Sequence, residues 1–313
     1  MCDRHGRLVR VGRAAYPLCT FLPSETGDAR ARGVSCFHSP ARGYHRSVPR
    51  SWIDFLRGAP SGDHGVQIYR DESELALSVA SYLAAGFEDR DPALVVASPA
   101  HWRLFAEALA KSHWDPDELQ AQGLLTVRDA DATLATFMSG GRPSPVRFEE
   151  VIGRVLDSIS EHHPDRRIRV FGEMVDLLCL RGEDEAALAL ERLWNQLARR
   201  RRFSLLCGYQ LDVFDRESQT GTLPGVCRSH THVLPASDST RLTVAVDRAL
   251  NDVLGPAEAG KVYLLVAEEA RRERISVAQL TLMWVSAHMP VTADRILASA
   301  RAHYELLAPS TTA

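Results

Sequence analysis

The chain reads as an α/β protein, a parallel sheet of about five strands covered by helices on both faces, followed by a C-terminal helical segment. Three observations predict it. Short apolar runs at 65–69, 93–97, 124–128, 168–171 and 204–209 are nearly uninterrupted rather than alternating, as strands buried on both faces are. The segments between them carry apolar residues at helical spacing and are long enough to cross back over a sheet. Beyond Phe214 the short apolar runs stop while amphipathic periodicity continues.

The elements follow in order. Gly65-Val66-Gln67-Ile68-Tyr69 is the first strand, and Asp71 with Glu74 forms an Asp-x-x-Glu start for a helix through Leu75, Val79, Tyr82 and Leu83 that ends at Gly86. Ala93-Leu94-Val95-Val96-Ala97 stops at Ser98-Pro99 and opens a helix with Trp102, Phe105 and Leu109. Asp115-Pro116 turns the chain into a third strand, Leu124 to Arg128, and a short helix around Leu134 and Phe137. One helix with Phe148, Ile152, Val155 and Ile159 leads to the fourth strand, and a long helix from Glu183 to about Arg200 leads to the fifth. Residues 216–236, with Gly221, Pro224, Gly225 and Pro235, read as a linker, and residues 237–313 as a helical C-terminal domain broken at Pro290.

Composition narrows the function classes. Of 313 residues, 45% are apolar and 25% charged, the net charge is −3, and no apolar run reaches the length of a membrane span. With no secretory leader pattern at the start, the expected location is the cytoplasm. Six scattered cysteines without a Cys-x-x-Cys pair point to neither a disulfide framework nor a zinc ribbon. Residues 1–62, rich in Arg, Pro and Gly and without sustained periodicity, read as a disordered tail. They lack the interleaved aromatic and basic residues of single-strand nucleic-acid binders.

Two strands end in polar groups that core packing does not require. Phe171-Gly172-Glu173-Met174 closes the fourth, and Cys207-Gly208-Tyr209 the fifth. Open α/β sheets bind ligands at the carboxyl edge, so His64, Tyr69, Glu173, Cys207 and Tyr209 are expected to line one ligand-binding pocket, with Met174 and Trp194 as its apolar wall. The same residues admit other roles: Glu173 bonded to His64 or to backbone amides, and Cys207 as a small core residue. Glu191 and Asn195, four apart on a helix, read as braces for a neighbouring loop. Cys227, His230 and His232 offer three metal donors within six residues, needing a fourth such as His64 or Glu173 to hold zinc or iron, although the spacing fits no standard zinc finger.

These residues resemble the MEDS domain, the sensory domain named for methanogens, methylotrophs and the dichloromethane-dehalogenase regulator. The resemblance rests on His64 five residues before Tyr69, Gly86-Phe87, Gly123-Leu124-Leu125, Phe171 to Met174, Leu190-Glu191 with Trp194-Asn195, and Phe203 to Tyr209. It spans residues 63–215 and implies a RecA-like, KaiC-like fold with a role in sensing small hydrocarbon derivatives for signalling and transcription. ATP is not expected: a RecA-type ATPase needs Gly-x-x-x-x-Gly-Lys-Ser/Thr after the first strand, where this chain has Tyr69-Arg70-Asp71-Glu72-Ser73-Glu74.

The joint expectation is a non-enzymatic cytoplasmic sensor of a small, largely apolar organic molecule, relaying it to a signalling or transcription partner. The alternative is a metal-assisted or carboxylate-based enzyme using Glu173 and the Cys227, His230 and His232 loop. The last two helices, with Leu280, Met283, Trp284, Ile296, Leu297 and Tyr304, offer only Arg295 and Arg301 to phosphates, so DNA is not the expected partner. Homodimerisation or partner docking and simple core packing remain open for them.

Overall fold

The computed structural model describes residues 52–234, 238–273 and 275–307. Most of the expected N-terminal tail lies outside these residues. The sheet has six strands, all parallel: β1 (His64–Tyr69), β2 (Ala93–Ala97), β3 (Leu125–Asp129), β6 (Ile168–Gly172), β7 (Phe203–Gln210) and β8 (His232–Leu234). Their order across the sheet is β3-β2-β6-β7-β1-β8, while β4 (Met138–Ser139) and β5 (Arg142–Pro143) form a separate two-residue antiparallel ribbon. Every residue of β1, β2 and β6 is buried, which is why these strands read as continuous apolar runs. The edge strand β3 becomes exposed at its end.

Alternation along the strands sorts side chains into two layers. Val66, Leu94, Val96, Val170, Leu205, Cys207 and Tyr209 pack with the helices Arg154–His162, Met174–Leu180 and Asp184–Ala198. Tyr69, Val95, Ala97, Phe171 and Leu206 pack with Trp52–Gly58, Glu72–Glu88, Pro99–Lys111 and Pro116–Ala121. A third cluster joins Ile68, Val213, Phe214 and Leu223 to the C-terminal helices Ser239–Leu254, Pro256–Glu273, Val277–His288 and Ala293–Leu306. The fold is therefore RecA-like α/β, with helices on both faces and a helical C-terminal segment.

Local chemistry sets the helix starts. Asp71 accepts the Ser73 amide, Ser98 accepts the His101 amide with Pro99 at the first helical position, and Asp115 accepts the Asp117 and Glu118 amides.

Four features depart from the sequence expectations. A sixth strand exists because the Thr231 amide and hydroxyl both reach the His64 carbonyl, at 2.7 and 3.0 Å, and seat His232–Leu234 beside β1; three residues are too few to show periodicity. The expected linker at 216–236 holds, besides that strand, the helices Arg216–Thr220 and Thr222–Ser229. Part of the expected tail is structured: Trp52–Gly58 is a helix with Phe55 fully buried. Phe55 lies so close to Gly65 that a Cβ there would sit 2.4 Å from the ring. Finally, the single helix expected around Ile152 contains a π-helical turn, Glu149–Gly153, between α-helical segments.

Candidate functional site

The structure divides the seven expected pocket residues among three environments. Tyr69 and Glu173 stand at the carboxyl edge. His64, Cys207 and Tyr209 lie inside the layer between the sheet and the Asp184–Ala198 helix. Met174 and Trp194 belong to the core of that layer, where Trp194 meets Phe148 edge-on with ring centres 5.2 Å apart and fits against Gly172. All seven are at most 2% exposed, so none of them forms an open wall.

At the carboxyl edge each buried carboxylate meets two donors. Glu173 accepts the Ser98 amide and His101 Nδ1, each at 2.5 Å, rather than pairing with His64. Asp176, one helical turn on, accepts the Tyr69 hydroxyl at 2.7 Å and the Gln210 amide at 2.8 Å. The hydrogen bond to Glu173 raises the affinity of His101 for its proton despite partial burial, and the far nitrogen of His101 faces Glu72 at 3.6 Å. Burial lifts the Asp176 carboxyl to about 6 against the two bonds that favour its charge, and burial together with Asp176 pushes the Tyr69 hydroxyl up. Sequence reasoning missed His101 and Asp176. Their signal is positional: each lies three residues after a strand-end polar group, Ser98 and Glu173, and so shares a helix face with it.

The second constellation is built from four elements. His64 comes from the start of β1, Cys207 from β7, Glu191 from the Asp184–Ala198 helix, and His230 from the residue after Thr222–Ser229. Their donor atoms all lie within 4.8 Å of one another. His64 Nε2 is 3.2 Å from the Cys207 Sγ and 3.5 Å from Glu191 Oε2, and His230 Nε2 is 3.4 Å from Glu191 Oε1. The Tyr209 hydroxyl donates to Glu191 Oε1 at 2.7 Å. Burial, then the neighbouring His230, lowers His64 to about 3; burial pushes the Cys207 thiol well up. Burial opposes the charge of Glu191, but its contacts with His230 and His64 and the bond from the Tyr209 hydroxyl outweigh that and keep its carboxyl below the ordinary carboxylate range. Asn195 braces the adjoining loop as expected, donating to the Ser229 carbonyl at 2.9 Å, whereas Glu191 turns inward.

Cys227, His230 and His232, candidates for a metal loop only under the alternative reading, do not come together among the described residues. His232 bonds Asp63 at 3.0 Å and packs on Phe55, and Cys227 sits in the C-terminal helical cluster. The intervening helix turn and β8 point the three side chains to different neighbours, so only His230 enters the His64 cluster.

Residues 63–231, more than half of the 313, match the family described as the methanogen/methylotroph, DcmR sensory domain. The chain belongs to the MEDS family. A comparison with curated proteins finds no match. Membership makes this a sensory domain by family, and the match extends to residue 231, past residue 215 where the sequence resemblance ends, so it takes in His230. Among the described residues no helix is long and apolar enough to cross a membrane.

Room for a ligand lies elsewhere in the MEDS domain. A cleft of about 510 Å³ opens beside the edge strand β3, lined by Leu94, Val127, Val151, Ile152 and Val155 with Thr133 and Thr136. Arg128 and Asp129 stand at its rim. Two of the lining residues, Val151 and Ile152, belong to the π-helical turn, an element common at functional sites.

Proposed function

We propose that the chain is a non-enzymatic sensor that binds a small, largely apolar organic molecule in the cleft beside β3 and passes the signal to a protein partner through its C-terminal helices. The observation that carries this reading is the cleft itself. Its volume lies in the range of small-molecule sites, and its walls are aliphatic with a few hydroxyl and charged groups to fix orientation. Family membership supports the sensory role, and the aliphatic lining favours an apolar ligand.

Relay would use the sheet as the rigid body shared by both ends. The C-terminal helices are fastened beyond the carboxyl ends of β1 and β7 through Arg301 with Asp212 at 2.7 Å, Arg70 with Glu305 at 3.8 Å, and Phe214 against Tyr304. A ligand changes the standing of those helices only to the extent that it prefers one arrangement of the domain over another. The output would reach a signalling or transcription partner.

Thermal unfolding with 1-butanol, 1-hexanol and 1-chlorobutane tests the reading. A probe at a hundred times its Kd stabilises by about 2.7 kcal/mol, which is roughly 5–11 °C for a domain of this size. Ala132→Phe and Thr136→Trp, at exposed lining positions, are expected to abolish the shift while leaving the unliganded melting temperature in place. Equal responses from the wild type and both variants would overturn it.

A further inference from the structure

We propose that His64, Glu191, Cys207 and His230 bind one divalent transition-metal ion, zinc fitting best and ferrous iron next. His230 Nδ1 lies 2.6 Å from the Val226 carbonyl, which only accepts, so the proton sits on Nδ1 and the Nε2 lone pair points inward. Asn195 uses its amide nitrogen on the Ser229 carbonyl, so its oxygen faces His64 Nδ1 at 3.1 Å and fixes the same tautomer there. Both imidazoles are thereby oriented from behind, as metal-bound histidines are.

The centre then holds two imidazole lone pairs, a carboxylate and a sulfur, with too few donors among them. Glu191 Oε2 and His230 Nε2 are buried without a hydrogen-bond partner. Two such orphans in one dry spot are costly unless a cation sits between them.

Distances and charge agree. Bonds of about 2.0–2.3 Å from zinc to nitrogen, oxygen and sulfur place tetrahedral ligands roughly 3.3–3.7 Å apart; three of the contacts among these donors are 3.2, 3.4 and 3.5 Å, and all the donor atoms lie within 4.8 Å of one another, so binding would draw the remaining ones slightly inward. Two neutral imidazoles, one thiolate and one carboxylate neutralise a doubly charged ion, leaving no net charge in the interior. On binding, the Cys207 S–H bond breaks, the electron pair stays on sulfur to form the metal–sulfur bond, and the proton leaves to solvent. With four protein donors and full burial the site is closed, as structural zinc sites are. It would clamp β1, β7 and the Asp184–Ala198 helix to the segment that carries β8.

The test uses the full-length protein purified without chelator or added metal. Elemental analysis should find one zinc or iron per chain. After stripping, titration with Zn²⁺ and Co²⁺ against a competing chelator should restore one site, and the cobalt form should show a thiolate-to-cobalt charge-transfer band. Cys207→Ser should remove that band, and Asn195→Ala should weaken binding about 10- to 100-fold. Folded wild-type protein that takes up neither metal at one per chain overturns the proposal, and so does uptake unchanged in Cys207→Ser. If a variant fails to fold, the wild-type titration still decides. Probe binding in the β3 cleft, repeated on Cys207→Ser, keeps a failure here distinct from a failure of the sensor reading.

Discussion

The cleft beside β3 and the polar centre of the sheet divide between them what a ligand site needs. The cleft has about 510 Å³ of space and aliphatic walls but few polar groups. The centre has histidines, carboxylates, a thiol and phenols but no open wall, since His64, Tyr69, Glu173, Glu191, Cys207 and Tyr209 are all buried. A strand-end polar residue marks a site only when its bonding capacity is left open. Glu173 and Asp176 are filled by protein donors, so they stiffen the carboxyl edge, whereas Glu191 and His230 are not, so they call for a cation.

Substitutions in the two regions should therefore separate by what they move, stability in the centre and ligand binding in the cleft. The largest loss is expected from His230→Ala. Removing one member of a buried charged cluster costs about 3–5 kcal/mol, or roughly 6–20 °C in melting temperature, and a chelator should lower the wild type in the same direction. Glu173→Ala comes next, at about 2–4 kcal/mol by urea unfolding, because the buried Ser98 amide and His101 lose their acceptor. A loss under about 1 kcal/mol would mean the edge is not closed as described.

Asp176 gives a pH signature. Its carboxyl is held at about 6, above the ordinary 3.8, so the folded state binds the proton more tightly than the unfolded one. The stability it contributes is present below about pH 4 and is lost as pH rises through about 6, by roughly 3 kcal/mol. Asp176→Asn should flatten the stability profile between pH 4 and 6, seen by denaturant unfolding across that range; an unchanged profile would assign the slope to other groups. The smallest stability effect is expected in the cleft: Ala132→Phe should shift unfolding by less than about 1 kcal/mol while removing the probe response.

Much of the scaffold was legible in the sequence because buried parallel strands and amphipathic helices leave periodic signatures. The five runs became β1, β2, β3, β6 and β7, and the Asp71 and Ser98 helix starts cap as their side chains predict. The three-residue β8, seated by Thr231 against His64, and the π-helical turn leave none, since one depends on a tertiary bond and the other on a single extra residue in a turn. The site was legible in residue type but not in grouping. His64 and Cys207 on one face and Tyr69 on the other follow from strand alternation, yet the approach of Glu191 and His230 is set by how a helix and a returning loop dock, which no local spacing encodes. The cleft has no motif at all, because ordinary aliphatic residues become a site only where packing leaves space.

The most direct measurement is methyl NMR of isoleucine- and valine-labelled protein titrated with 1-hexanol. Binding in the cleft should give saturable shifts at Val127, Val151, Ile152 and Val155 with contacts from the probe chain, followed by changes at Ile296 in the last helix. Shifts confined to other methyls, or none that saturate, would contradict it.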